Sequence, residues 1–285
     1  FELLADLQLA PGLALVEDIE DLRPELMQTF HRSLLGEPIL GDDYRRLARR
    51  HGRHVLNLWF NKAIERRTEI ELADRAGALE GSVEPPTRVD AHLGVLDADF
   101  IGQARELARA LAARPGVLAE GAARGVGHAL ELADATQRYE ALREALFTEK
   151  GTPRKKLGDL PEQGRLCQAL DAMALDLAQQ HAHEDHVALT RLSRRLFQCH
   201  TDVKRRRGLI DMADLERVAQ ALLSDHELSG WVQERLDSRI RHLLVDEFQD
   251  TSPLQWQALH GWLSAYAGAG GDGPRLFIVG DPKQS

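Results

Sequence analysis

The chain of 285 residues is short of several things, and each shortage closes off a class of protein. It has only two cysteines, Cys167 and Cys199, without the spacing of a disulfide framework or a zinc site, which suits a reducing compartment. No run of about 18 apolar residues occurs, so no membrane-spanning helix is expected. Aromatic residues make up 5%, too few for a base-stacking platform, and Trp59, Phe60 and Trp231 are expected in the core. Positive charge is also in deficit. The formal net charge is −9, so contact with a polyanion has to come from local basic clusters. No Gly-x-x-x-x-Gly-Lys-Ser/Thr phosphate loop is found; GAARGVGHA (121–129) has the glycines without the Lys-Ser/Thr and sits in a helical region. The opening FELLADLQLAPGL has neither Met nor a basic leader, and is expected to lie inside a larger, cytoplasmic protein.

What is present is mostly helical pattern. Leu, Ala, Arg and Glu dominate, with apolar residues at three- and four-residue spacing. Leu22, Leu26 and Phe30 form one stripe, and Leu47, Val55 and Leu58 continue it past Gly52. DADFIGQARELARALAARPG reads as a helix closed by Pro115 and Gly116, and HALELADATQRYEALREALF as the next. A breaker-rich basic loop spans 148–164, GALEGSVEPPTRVD (77–90) is a linker, and one long helix or two in line are expected over 165–200. Beyond about residue 208 the pattern changes. Asp211 is placed to cap a helix, another helix is expected at about 229–239, and HLLV (242–245) is the first convincing strand. Thr251-Ser252-Pro253 starts a further helix, GAGGDG ends it, and LFIV (276–279) is a second strand. Strand, helix, strand over roughly 35 residues predicts a βαβ unit with parallel strands.

The two strands end in acidic residues, LLVDEFQDTSP and LFIVGDPKQS. Parallel strands deliver their carboxyl ends to one rim, where ligands bind. Adjacent carboxylates repel there and call for a cation or a proton-transfer task. The chemistry assigns Mg²⁺ to Asp246 and the orienting and deprotonation of water to Glu247. Taken alone, a VDE string also reads as a strand cap paired with Arg235, Arg239 or Arg241.

The longer strings are more specific. DEFQDT resembles motif II, and GDPKQS the start of motif III, of the UvrD/RecB/AddA type of superfamily 1 DNA helicases, closest to AddA- and RecB-like helicase-nuclease subunits. KRRRGLIDMADL (204–215) is similar to the segment ahead of motif II. The resemblance implies an α/β protein with a large all-α part: a P-loop NTPase (RecA-like) parallel-sheet fragment carrying a helical inserted subdomain. Residues 1–200 would be the insert and 201–285 part of the first RecA-like domain. It implies Asp246 as the magnesium carboxylate, Glu247 as catalytic base, Gln284 as γ-phosphate sensor, and Asp281 as support in the motif III turn. Gln249, Asp250 and Thr251 would link the nucleotide to the DNA-facing side. It implies ATP and Mg²⁺, single-stranded DNA and duplex ends, an AddB- or RecC-like partner subunit, and a bacterial cytoplasmic role in double-strand-break repair. Without the phosphate loop, the chain alone is expected not to hydrolyse ATP. A helical DNA-binding or adaptor scaffold with a non-catalytic NTPase remnant is the rival reading.

Basic clusters stand at 45–54, 153–156, 191–195 and 204–208. Each reads as a solvated face or as a phosphate contact, with Arg154, Lys155, Lys156, Lys204, Arg205, Arg206 and Arg207 the candidates for DNA. HAHEDH (181–186) lacks the zinc pattern and reads as a polar helix surface.

Overall fold

A computed structural model describes residues 13–16, 19–157, 160–224, 240–267 and 274–281, except for the side chains of 19, 156, 222–224 and 265–267. The helix expected at 229–239, with Trp231, Arg235 and Arg239, and the GAGGDG segment lie outside the described residues. The described elements are mainly helical, with two short parallel sheets. They divide into two compact units, Phe1–Leu79 with Leu189–Ser285, and Glu80–Ala188.

In the first unit, β1 (Ala14–Leu15) precedes α1 (Arg23–Leu35), α2 (Pro38–His51), α3 (Arg53–Glu65) and α4 (Arg67–Arg75). Pro24 and Pro38 sit in first turns, where a missing N–H costs nothing. Leu22, Leu26 and Phe30 are buried as their spacing predicts. The continuation differs from expectation. Gly52 takes φ 84°, a conformation open to glycine, and α3 restarts in a new phase. Leu56, Phe60 and Ile64 therefore turn inward, whereas Leu58 is 54% exposed and Val55 only partly buried.

The second unit holds α5 (Ala98–Ala112), α6 (Val117–Glu131) and α7 (Ala135–Leu146) around a core that includes Leu107, Val126, Leu142 and Leu146. The single helix expected from HALELADATQRYEALREALF is broken at residues 132–134. Asp134 accepts the Gln137 N–H (2.9 Å), and Arg138 donates to the Leu132 carbonyl, so each helix end is satisfied locally. Gly125, inside the GAARGVGHA string, faces Ala145 so closely that an added Cβ would meet its methyl at 2.9 Å. The glycine serves helix packing there.

α8 (Pro161–Arg207) is one helix of 47 residues, about 70 Å long, and confirms the long helix expected over 165–200. Its HAHEDH segment is a polar surface, with His186 hydrogen-bonded to Ser82, and no metal-holding group of side chains occurs among the described residues. After Gly208 come β2 (Leu209–Ile210), paired in parallel with β1, and α9 (Met212–Ser224). The β1–β2 pair is too short to show in the sequence pattern.

Within the first unit, ion pairs tie the end of α8 and α9 to the helices that precede Leu79. Arg191 holds Asp43 (2.8 Å), Arg194 holds Asp74 (2.9 Å to Oδ2), and Arg217 on α9 holds Glu71 (3.1 Å). At their centre lies a buried cluster from three elements. Arg67 of α4 donates to Asp211 (3.2 Å) and to His200 Nδ1, while Lys204 of α8 donates to Asp211 (2.7 Å) and to Asp214. A guanidinium only donates, so His200 accepts at Nδ1 and carries its proton on Nε2. Asp211 and Asp214 also form a reciprocal cap on α9, each accepting the other's N–H (2.9 and 3.0 Å). The N-cap expected at Asp211 is present and is wired into the core.

Burial, reinforced by Arg67 and Lys204, pushes the His200 imidazole down to about 3. Burial alone would raise the Asp211 carboxyl, but Arg67 and Lys204 hold it well below the usual carboxylate range. Between about pH 6.5 and 3 the unfolded chain binds a proton on His200 that the folded chain refuses, so stability falls as pH drops through that window. The Asp211 contribution is intact above its unfolded value of about 3.9 and is lost below it. His200→Asn, which keeps the acceptor for Arg67, is expected to flatten the decline between about pH 6.5 and 4 while leaving the fall below about pH 4. Denaturant titrations at a series of pH values measure the difference.

Candidate nucleotide site at the strand tips

β3 (His242–Val245) and β4 (Arg275–Ile278) pair in parallel, His242 opposite Arg275 and Val245 opposite Ile278, as the βαβ spacing predicts. Apolar strands of this kind call for cover on both faces; instead Leu244 is 70% and Phe277 61% exposed, because the described sheet has two strands only. Between them runs α10 (Pro253–Ala267), which buries Leu254, Ala258 and Trp262. Its start matches the predicted one. Ser252 Oγ accepts the Gln255 N–H and Gln255 Oε1 accepts the Ser252 N–H, both 3.1 Å, with Pro253 in the first turn.

The segment between β3 and this cap carries the acidic string. Val279 N–H donates to Val245 O (2.8 Å), and Phe248 N–H returns to Val279 O (2.9 Å), stitching the two strand ends together. Phe248 is held by edge-on contact with Trp256 at 5.3 Å. Between these anchors Glu247 adopts φ 52° and ψ 44°. A left-handed non-glycine residue costs about 1–2 kcal/mol, so the strand stitch and the helix cap together impose it. Asp246 Oδ1 accepts the Glu247 N–H at 3.0 Å, and Phe248–Asp250 make a single tight turn.

Gln249 joins the two motifs. Its amide nitrogen donates to Glu247 Oε2, and its Oε1 accepts the Asp281 N–H at 2.9 Å. Asp246, Glu247, Gln249 and Asp281 are thus brought to one rim, the carboxylates exposed and Gln249 half-buried. Gln284, like residues 282–285 as a whole, lies outside the described residues. Arg241, the one described candidate for a structural pairing with the acids, makes no ion pair with Asp246 or Glu247 among the described residues.

The donor set fits Mg²⁺ shared with phosphate. One or two exposed carboxylates at a strand tip, with no third His, Cys, Asp or Glu forming a metal-holding group among the described residues, suit a hard cation that takes most of its oxygens from a nucleotide and water. They do not suit an all-protein metal cage.

The basic candidates are scattered. Arg154 is half-buried and donates to the Glu144 carbonyl (3.2 Å), beside exposed Lys155; the Lys156 side chain lies outside the described set. Arg154 and Lys155 line a cavity of about 860 Å³ with His128, Thr148 and Thr152. Lys204 is a correction: buried against Asp211 and Asp214, its ammonium is unavailable to a phosphate. Arg205 is exposed, and Arg206 and Arg207 are exposed but paired with Glu25 (3.7 and 2.5 Å). Thr251 is half-buried, with its N–H on the Phe248 carbonyl (3.1 Å).

The chain belongs to the UvrD/REP helicase N-terminal domain family, whose model matches residues 108–285. Within it the chain is 36% identical over 110 residues to an ATP-dependent helicase/nuclease subunit of Exiguobacterium sibiricum, covering 39% of this chain and 9% of that protein. It is 35% identical over 91 residues to DNA helicase II of Haemophilus influenzae, with 32% and 11% covered. It is 39% identical over 83 residues to the RecBCD enzyme subunit RecB of Mycolicibacterium smegmatis, with 29% and 7% covered. The matched part spans about a tenth of these relatives' lengths. No described helix is long and apolar enough to cross a membrane.

One packing contact at the rim is directly testable. A Cβ at Gly280 would meet Gln249 Oε1 at 3.0 Å and Phe248 Cβ at 3.1 Å. Gly280→Ala is expected to cost about 1–3 kcal/mol. Unchanged denaturant stability would contradict this close approach.

Proposed function

We propose that the chain is part of an ATP-dependent DNA helicase or translocase subunit of the helicase-nuclease kind, acting in double-strand-break repair and recombination. The observation that carries the reading is the Gln249 bridge, which ties the acidic tip of one strand to the backbone at the tip of its neighbour. In this reading the two strands belong to a RecA-like P-loop NTPase sheet, and further strands cover the exposed apolar faces of β3 and β4.

Asp246 would hold Mg²⁺ against the nucleotide phosphates, and the ion supplies neutralisation of charge on the phosphate oxygens. Glu247 orients the attacking water and takes its proton. Gln249 occupies Glu247 Oε2, so Oε1 is the oxygen that receives it. The Gln249 bridge holds the Glu247 carboxylate in the loop that joins the two strand ends, one side chain away from the Asp281 N–H. Gln284 then senses the γ-phosphate. Arg154, Lys155, Arg205, Arg206 and Arg207 remain candidates for the DNA path, and an AddB- or RecC-like protein for the partner.

In the full-length protein, Glu247→Gln is expected to lower DNA-stimulated ATP hydrolysis by about 10²-fold or more while nucleotide binding persists. Near-normal turnover would sink the assignment. The 285-residue chain alone, which has no Gly-Lys-Ser/Thr loop, is expected to show no ATP turnover above background.

A further inference from the structure

The helix that follows the acidic string begins at a cap with a third member. Ser252 Oγ, besides accepting the Gln255 N–H, donates to Glu216 Oε2 at 3.0 Å, and the Gln255 side-chain amide donates to Glu216 Oε1 at 2.6 Å. Glu216 lies on α9 and is half-buried. Both its carboxylate oxygens are engaged by the two capping side chains, in a forked arrangement that fixes the cap in two directions. Charge-assisted bonds of this type are shorter and stronger than neutral ones, in keeping with the 2.6 Å contact.

The cap in turn sets the acidic loop. Between Val245 and Ser252 the backbone has six residues, one of them left-handed at Glu247. The strand stitch at Val279 fixes the upstream end of this segment, and Ser252 fixes the downstream end. A strained residue between two anchors holds its orientation only while both anchors hold. α9 is itself anchored on another side, through Asp211 and Asp214 to Lys204 and Arg67, and through Arg217 to Glu71. Glu216 is therefore presented from a fixed support.

We propose that Glu216 is a positioning residue for the nucleotide site: by holding the Ser252–Gln255 cap it fixes the Glu247–Thr251 loop and hence the direction of the Glu247 carboxylate. The proposal rests on the hydrolytic reading of Asp246 and Glu247. Glu216 makes no contact with either carboxylate and acts through the cap.

The polarity of the fork supplies the test. Glu216→Leu removes both acceptor oxygens and so both bonds, with little change of size. In Glu216→Gln the amide oxygen accepts from the Gln255 amide and the amide nitrogen donates to the Ser252 hydroxyl, which accepts as readily as it donates, so both contacts survive. In the full-length protein Glu216→Leu is expected to lower kcat for DNA-stimulated ATP hydrolysis by about tenfold, with KM for ATP unchanged, because a small misplacement of a reacting group is costly. Amide exchange over residues 247–255 should rise in parallel. Glu216→Gln, which keeps the fork in neutral form, is expected to retain most of kcat and of the protection. Asp74→Ala, which breaks the ion pair with Arg194 between α4 and α8 and touches neither α9 nor the cap, serves as the purely structural comparison and should leave kcat in place.

Wild-type kcat in Glu216→Leu would overturn the proposal, as would a loss of the same size in Glu216→Gln or in Asp74→Ala. Unaltered exchange over 247–255 in Glu216→Leu would also overturn it, whatever the kinetics. Failure of the hydrolytic reading shows separately, as turnover that survives Glu247→Gln.

Discussion

The buried ion cluster of Arg67, His200, Lys204, Asp211 and Asp214 is the constraint on which the first unit depends. It ties the start of α4 to the end of α8 and the start of α9, through Arg67 bonds that span 133 and 144 positions of sequence. Removing ions from water is costly, and such a cluster is tolerated only where each charge meets partners of opposite sign in good geometry. Here Asp211 takes three donors, Arg67, Lys204 and the Asp214 N–H, while the neutral His200 fills the remaining space without adding a charge. Removal of any one member strands the others as uncompensated buried charge, so the cluster tolerates the loss of a partner poorly. The direction in which α9 leaves α8 is set there, and α9 then carries Glu216 toward the helix cap beside the acidic loop.

The candidate site has a different physical character. It is exposed, its backbone is strained at one residue, and its order comes from side-chain bridges rather than from burial. An exposed pair of carboxylates costs little in the folded state, and leaves room for a cation and a phosphate chain to arrive. What must be fixed beforehand is direction, and that is the work of the Val279 stitch, the Phe248–Trp256 contact and the Ser252 cap.

Much of this is legible in the residues. Periodicity locates the helices, the strings TSP and GLID locate the starts of α10 and α9, and the alternation of strand, helix and strand gives the parallel pairing. Family membership follows from the strings at the strand tips and is confirmed by the match over residues 108–285. The failures share a cause. A KRRR run does not reveal which cation is turned inward; Lys204 is, because it lies one turn after His200 on a face that meets Asp211. Val55 and Leu58 depart from their expected burial because a glycine at positive φ resets helix phase, which periodicity carried across it cannot register. Nothing local marks Glu216, whose partners lie more than thirty positions away.

The backbone at Glu247 places stability and chemistry in opposition at a single residue. Glycine would occupy that left-handed conformation without the side-chain penalty, and so would relax the loop while deleting the carboxylate. The acidic side chain at that position therefore stands against the conformational preference of its own backbone, and the loop carries that strain for as long as the carboxylate is present.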